Sequence, residues 1–216
     1  MSNIMIQPEA MFKFSYGLFV LTAKNSVKDS GCIINTAQQV TVTPNQISVA
    51  VNKSNYTHDM IMESGAFNIS VLSEEATFPV FQRFGFASGR DTDKLEGFQD
   101  SIGRSENGVI YVTEGTNAFL SGKVVQTVDL GTHSLFIAEV TEAQVLSPVP
   151  SATYSYYFEH IKPKPQATVP ADAAEEPKVT WVCKICGYVY EGDPIPEDFI
   201  CPLCKHGAQD FERVVG

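Results

Sequence analysis

The sequence predicts a mostly β protein: an antiparallel barrel with a few short helices, followed by a small cysteine-knuckle module. Three observations carry this. Short apolar or alternating runs recur between turn residues through the first 161 positions, helical patterns are sparse, and two Cys-x-x-Cys pairs lie near the C-terminal end. Length and composition agree, since 216 residues suit one ordinary domain plus a small one, and 44% apolar residues supply a sizeable core.

The strands can be read in order. Gly17–Lys24 is an apolar run bounded by turn formers. Val40 and Val42 alternate with Thr41 and Thr43 until Pro44-Asn45 breaks the pattern, and Ile47, Val49 and Val51 then alternate with Ser48, Ala50 and Asn52. Ala66–Leu72, Gly108–Val112, Ala118–Val128 and Ser134–Val145 continue in the same manner. Tyr56–Ser64 is the best helix, with Asn55 or Ser54 as its cap and Gly65 just past its end. Glu9–Phe14 and Ala76–Phe84 are weaker candidates, the second interrupted by Pro79. There is no G-x-G-x-x-G and no P-loop, so any nucleotide is held without a Rossmann turn.

Residues 162–178 contain four prolines and no large aromatic side chain, which reads as a semi-extended tether. It divides the chain into 1–161 and 179–216. A net charge of −10 argues against nucleic acid as a partner, because phosphates would be repelled. The start, Met1-Ser-Asn-Ile-Met-Ile-Gln-Pro8, lacks a basic region and an apolar region of export type. No apolar run approaches the roughly 18–20 residues that a spanning helix needs. Four of the five cysteines fall in the two pairs and leave Cys32 as apparent strand filler, a usage that suits a reducing cytoplasm. A cytoplasmic protein with no membrane association is the expectation.

Cys183, Cys186, Cys201 and Cys204 form the two pairs, fourteen residues apart. Four thiolates at this spacing close a tetrahedral cage around one metal ion, and Gly187 can take the positive φ that the first knuckle favours. Spacing leaves zinc and iron both open. The company is aromatic: Trp181, Tyr188, Tyr190, Phe199 and Phe211, heavy for a zinc ribbon. The run Trp181–Tyr190, the Gly192-Asp-Pro turn, Phe199, Cys201-Pro-Leu-Cys204 and Asp210-Phe211-Glu212 together resemble rubredoxin over residues 179–216. That resemblance implies one iron in four cysteines, shuttling single electrons beside a small aromatic core. Two features depart from the pattern: the segment between the knuckles is short, as in modules attached to larger proteins, and Lys205 replaces the usual glycine.

Upstream, Gly31-Cys-Ile-Ile-Asn35-Thr36-Ala-Gln38-Gln39 leads to Ile47-Ser-Val-Ala-Val-Asn52-Lys53-Ser54-Asn55-Tyr-Thr57-His58. Glu63-Ser-Gly-Ala-Phe67-Asn68 and Gly131-Thr-His133-Ser-Leu-Phe follow. These blocks resemble the flavin-reductase-like, FMN-binding split-barrel family over residues 10–160. The family implies a split barrel, a homodimer, FMN bound non-covalently near the subunit interface, and NAD(P)H as reductant.

On that reading Asn35, Thr36 and Gln38, carried on a strand Ile33–Val40, bond the polar edge of the flavin ring. The turn Asn52-Lys53-Ser54-Asn55 feeds a helix N-terminus, a ready anion site, where Ser54, Thr57 and Lys53 hold the FMN phosphate. The same residues would equally make an ordinary capping turn. Lys94 matches a loop lysine that reaches the cofactor in relatives, or is a solvated loop charge. His133 lies in a turn where the family places a histidine beside the flavin, to hold the nicotinamide or answer charge on the reduced ring. His58 and His160 are lesser candidates.

The fusion resembles the high-molecular-weight rubredoxins of anaerobes. That implies electron flow from NAD(P)H through FMN to Fe(Cys)4 and on to an acceptor such as a flavodiiron oxygen or nitric oxide reductase. The alternatives are an FMN-binding flavin reductase whose zinc ribbon is a docking module, and a flavin reductase that releases its FMN.

Overall fold

The apolar runs of the larger region pair into one curled antiparallel sheet. A computed structural model of the protein describes residues 10, 13–163, 179–184, 189–201 and 207–215. Strands β1 (Phe19–Lys24), β2 (Asp29–Ile34), β3 (Gln38–Thr41) and β4 (Gln46–Asn52) precede helix α1 (Tyr56–Ser64). Strand β5 (Ala66–Leu72), helix α2 (Phe78–Gly85), a small hairpin of β6 (Ile102–Arg104) and β7 (Ile110–Val112), and the long hairpin of β8 (Thr116–Asp129) and β9 (His133–Val145) follow. The seven-stranded sheet runs β2-β1-β5-β8-β9-β4-β3. Its two edges, β2 and β3, are consecutive in sequence, so the sheet curls into a split barrel with Asn35–Ala37 crossing the split.

Strand β1 explains why its run reads as continuously apolar. Leu21 and Ala23 face the barrel interior with Val49, Val51, Phe67 and Phe136, and Met60 and Ile61 of α1 pack against the same core. Val20 turns the other way, onto Val80, Phe81 and Phe84 of α2. Both faces of the strand are buried, so alternation is lost. Cys32 of β2 lies in the interior cluster, as a small apolar filler.

Three local readings change. The strand expected over Ile33–Val40 is broken, because β2 ends at Ile34 and β3 begins at Gln38 on the opposite edge. Pro79 opens α2 instead of interrupting it: Thr77 is the N-cap, and a proline in the first turn lacks only an N–H that has no helical partner. A helical turn α3 (Tyr154–Tyr156), widening to a π-helix at Tyr157–Ile161, packs an aromatic run that has no helical apolar period. Helix α1 is as expected, ended by Gly65 at φ 67°, whose N–H donates to the Ile61 carbonyl at 2.8 Å. Of the candidate helix Glu9–Phe14, residues 9, 11 and 12 lie outside the described residues.

The C-terminal module is a three-stranded sheet, β11 (Val189–Glu191), β10 (Val179–Cys183) and β12 (Phe211–Val215), in that spatial order. Its core holds Cys183, Cys201 and Phe211, with Trp181, Tyr190, Ile195 and Phe199 packed around them. Residues 164–178 of the expected tether lie outside the described residues. Among the described residues no helix is long and apolar enough to cross a membrane.

Candidate functional site

A cavity of about 360 Å³ opens where β2, the start of α1 and the segment after α2 converge. Its wall is built from Gly31 and Cys32, from Ser54–Thr57, and from Gly85–Arg90 with Lys94. The local sequence dictates this meeting. The Asn52 carboxamide oxygen accepts from both the N–H and the hydroxyl of Ser54, each at 2.9 Å, and so closes the turn before α1. Asn55 then caps in extended geometry with no side-chain capping bond, so the first N–H groups of α1 are not consumed by a capping side chain.

Cations surround that helix start. Arg90 pairs with Asp59 at 2.6 Å while its guanidinium lies 5.1 Å from the Tyr56 ring centre. Its hydrogen bond, aided by one from His58, holds the Asp59 carboxyl below the ordinary carboxylate range. Lys28 donates to the Gly89 carbonyl at 2.5 Å. Lys94 is only 5% exposed and donates to the carbonyls of Gly31 at 2.8 Å and Phe84 at 3.0 Å. Burial pushes its pKa down to about 8, against the opposing influence of Cys32. Burial likewise pushes the Cys32 thiol up, opposed by Thr57, Lys94 and Asn55. Gly89 passes close to β2: a Cβ there would lie 2.3 Å from Ser30 Oγ, so the serine hydroxyl would have to turn away.

These features fit a phosphate-bearing ligand. The volume lies within the roughly 300–1,000 Å³ of ligand pockets, and the wall offers helix N–H groups, the Ser54 and Thr57 hydroxyls and one guanidinium.

The sequence-predicted residues divide. Ser54, Thr57 and Lys94 line the cavity. Asn52 shapes its entry turn. Lys53 is paired with Asp129 at 2.7 Å and does not line it. His133 stands opposite Asn52 in the β4–β9 register, its Nδ1 2.9 Å from Thr132 Oγ1. The Thr36 hydroxyl donates to the Ala50 carbonyl at 2.7 Å, Asn35 sits half-buried at the crossing, and Gln38 borders a separate hollow with Phe19, Ile47 and Leu120. His58 is buried between Ser134 Oγ, 2.9 Å from Nε2, and Asp59, 3.1 Å from Nδ1. Sequence reasoning missed Arg90 and the Gly85–Gly89 segment. Two glycines and a serine leading to an arginine just after a helix were the available signal.

In the small module, Cys183 and Cys201 are both 0% exposed and come from separate segments into one core. Phe199 bridges Tyr190 and Phe211 there, with ring centres 4.7 and 5.4 Å away. Two buried thiols among aromatic rings suit a soft metal ion. Cys186 and Cys204 lie outside the described residues.

Residues 11–164 match the flavin reductase like domain, and residues 181–212 match the rubrerythrin, rubredoxin-like domain. The high molecular weight rubredoxin of Moorella thermoacetica is 37% identical, covering 95% of this chain and 99% of that one. The ferric-chelate reductase (NAD(P)H) of Archaeoglobus fulgidus is 40% identical over 69% of this chain and 87% of its own. The flavoredoxin structure from Methanosarcina acetivorans shares the fold, with a TM-score of 0.58, 24% identity, and coverage of 67% of this chain and 75% of that one. The two families bring a flavin and a rubredoxin-type iron centre. This chain belongs to the flavin reductase like family and carries a rubredoxin-like domain at its C-terminal end.

Proposed function

We propose that the protein is an NAD(P)H-dependent oxidoreductase that passes electrons through FMN to an iron held by Cys183, Cys186, Cys201 and Cys204, and on to an acceptor protein. The observation that carries this is one chain holding both a cation-rimmed, phosphate-fitting cavity and a buried pair of cysteines in an aromatic core. FMN supplies the chemistry the side chains lack, taking a hydride and releasing single electrons. The chain's own residues do the holding. Ser54, Thr57, the α1 N-terminus and Arg90 bind the phosphate. Lys94 ties the loop after α2 to β2 through the Gly31 carbonyl and to α2 through the Phe84 carbonyl, and so fixes the cavity's width. His133, across the strand pair from Asn52, orients the nicotinamide.

The proposed division is a barrel at 1–161, a tether at 162–178 and an iron module at 179–216. The family matches at 11–164 and 181–212 support it. A homodimer is part of the reading. Support comes from β3, an edge strand with all four residues exposed, and from Val42 just beyond it at 77% exposure. The acceptor in this reading is a flavodiiron oxygen or nitric oxide reductase.

The test is an anaerobic visible spectrum of the purified protein. A red protein whose thiolate-to-ferric bands bleach on adding NADH or NADPH supports the reading. A zinc-containing protein with no such bands is the docking-module alternative and refutes it. Oxygen or nitric oxide consumption on adding a flavodiiron protein tests the acceptor.

A further inference from the structure

Phe86 belongs to two surfaces at once. It is the first residue after α2, and its N–H donates to the Gln82 carbonyl at 3.2 Å, so the helix end fixes its place. Its ring lies 5.8 Å from that of Phe78. One side of the residue lines the cavity. It also packs against the cluster of Cys183, Cys201 and Phe211, the core of the small module.

A second contact lies on the same face. Lys162, just past the π-helix, donates from Nζ to the backbone carbonyl of Lys184, the residue after Cys183. The same ammonium stands 4.9 Å over the Phe158 ring, and Phe158 and Phe86 border one apolar hollow. An apolar contact at the cysteine core and a polar one beside Cys183 therefore pin the module to the barrel at two points.

We infer that this face is a built seat for the iron module, with Phe86 as its anchor and Lys162 as its latch. The seat sets the module's cysteine face against the lip of the cavity, with one aromatic ring between them. A tethered module free to wander would meet the cavity only at intervals, whereas a seated one shares Phe86 with the cavity wall. The module must leave the seat to expose that face to an acceptor, and an apolar anchor with a hydrogen-bonded latch lets it both rest there and release. This inference rests on the electron-transfer reading above. Phe86 acts by positioning and takes no part in the chemistry.

The test is small-angle X-ray scattering on the intact chain loaded with flavin and iron. It compares the native protein with Phe86→Ala, Lys162→Ala, the double variant, and Phe86→Leu, which keeps an apolar anchor. Far-UV circular dichroism confirms folding, and Lys162→Ala leaves both apolar cores untouched should Phe86→Ala fold poorly. The native particle is expected to be compact. Freed on the 162–178 segment, the module would range over roughly 20–50 Å, between the coil and extended limits for 17 residues, and the double variant's maximum dimension should grow on that scale. Phe86→Leu should stay near native. In single-turnover mixing with NADH, the hydride would bring two electrons, of which one reduces the module's ferric ion and the other stays with the flavin, and bleaching should slow about tenfold in the double variant. A native particle already as extended as the double variant, or a double variant as compact as native, overturns the seat. A native particle that is compact, opens in the double variant, but never bleaches leaves the seat standing and sinks the electron-transfer reading instead.

Discussion

Replacing Lys94 with methionine should flatten the protein's stability between pH 8 and 9. Lys94 is buried and its pKa is pushed from 10.5 to about 8. Where the folded-state pKa of a lysine lies below the unfolded one, the unfolded chain binds more proton between the two values, and stability rises with pH across that window. Below pH 8 both states are protonated, and the folded chain bears the full cost of a buried ammonium, about 3 kcal/mol. Cys32 acts in the opposite sense above pH 9, because its folded pKa is raised from 9.0 and its stabilising effect is lost as pH climbs past that value.

The clean window for Lys94 is therefore pH 8 to 9, in which the native chain should gain about 1 kcal/mol. In Lys94→Met the gain should vanish. At pH 7.5 the variant escapes the charge penalty but leaves the Gly31 and Phe84 carbonyls without their donor, at about 1–3 kcal/mol, so its net change there should be small. The assay is urea unfolding followed by far-UV circular dichroism. Tryptophan emission is unsuitable because the only tryptophan, Trp181, reports on the module rather than the barrel. A variant that keeps the native slope, or a native protein that has none, would show that Lys94 titrates as an ordinary solvated lysine.

Removing the guanidinium in Arg90→Ala should weaken FMN binding by about 10- to 100-fold, the worth of a charge-assisted bond, as read by quenching of flavin emission during titration. Unchanged affinity would place the phosphate elsewhere. His133→Ala should slow flavin reduction by NADH about tenfold or more while leaving FMN affinity intact; loss of affinity instead would make it a cofactor ligand. Cys204→Ser should abolish the ferric absorption yet spare nicotinamide-dependent flavin reduction. If acceptor reduction survived in that variant, electrons would not be passing through the module.

Much of the fold was legible wherever a rule is local. The two buried faces of β1 leave an apolar run, and Gly65 punctuates α1 because its positive φ suits few other residues. Pro79 was misread because a proline that breaks a helix interior is welcome in the first turn, and sequence alone does not say where that turn begins. The crossing at Asn35–Ala37 could not be foreseen either. Which strands become edges is settled by β8 and β9, some eighty residues downstream. The site shows the same division. Ser54 and Thr57, which line the cavity, could be picked out because a helix start carries its own signature, and Cys183 and Cys201, which meet in the module core, because paired cysteines stand out by spacing. Arg90 escaped because its partners, Asp59 and the Tyr56 ring, lie in another segment, Asp59 itself 31 positions away. A cavity assembled from three separated segments is a tertiary fact.

The bond from Lys162 to Lys184 joins points 22 positions apart, and this makes the intervening chain a closed ring whenever the module is seated. Closing such a ring carries an entropy that grows only with the logarithm of its length, about 0.6 kcal/mol for each doubling. The number of residues between the two domains is therefore close to neutral. Lengthening or trimming it should alter the balance between closed and open forms far less than a single change at Phe86. Drift in that segment is cheap, and constraint falls on the two ends of the ring.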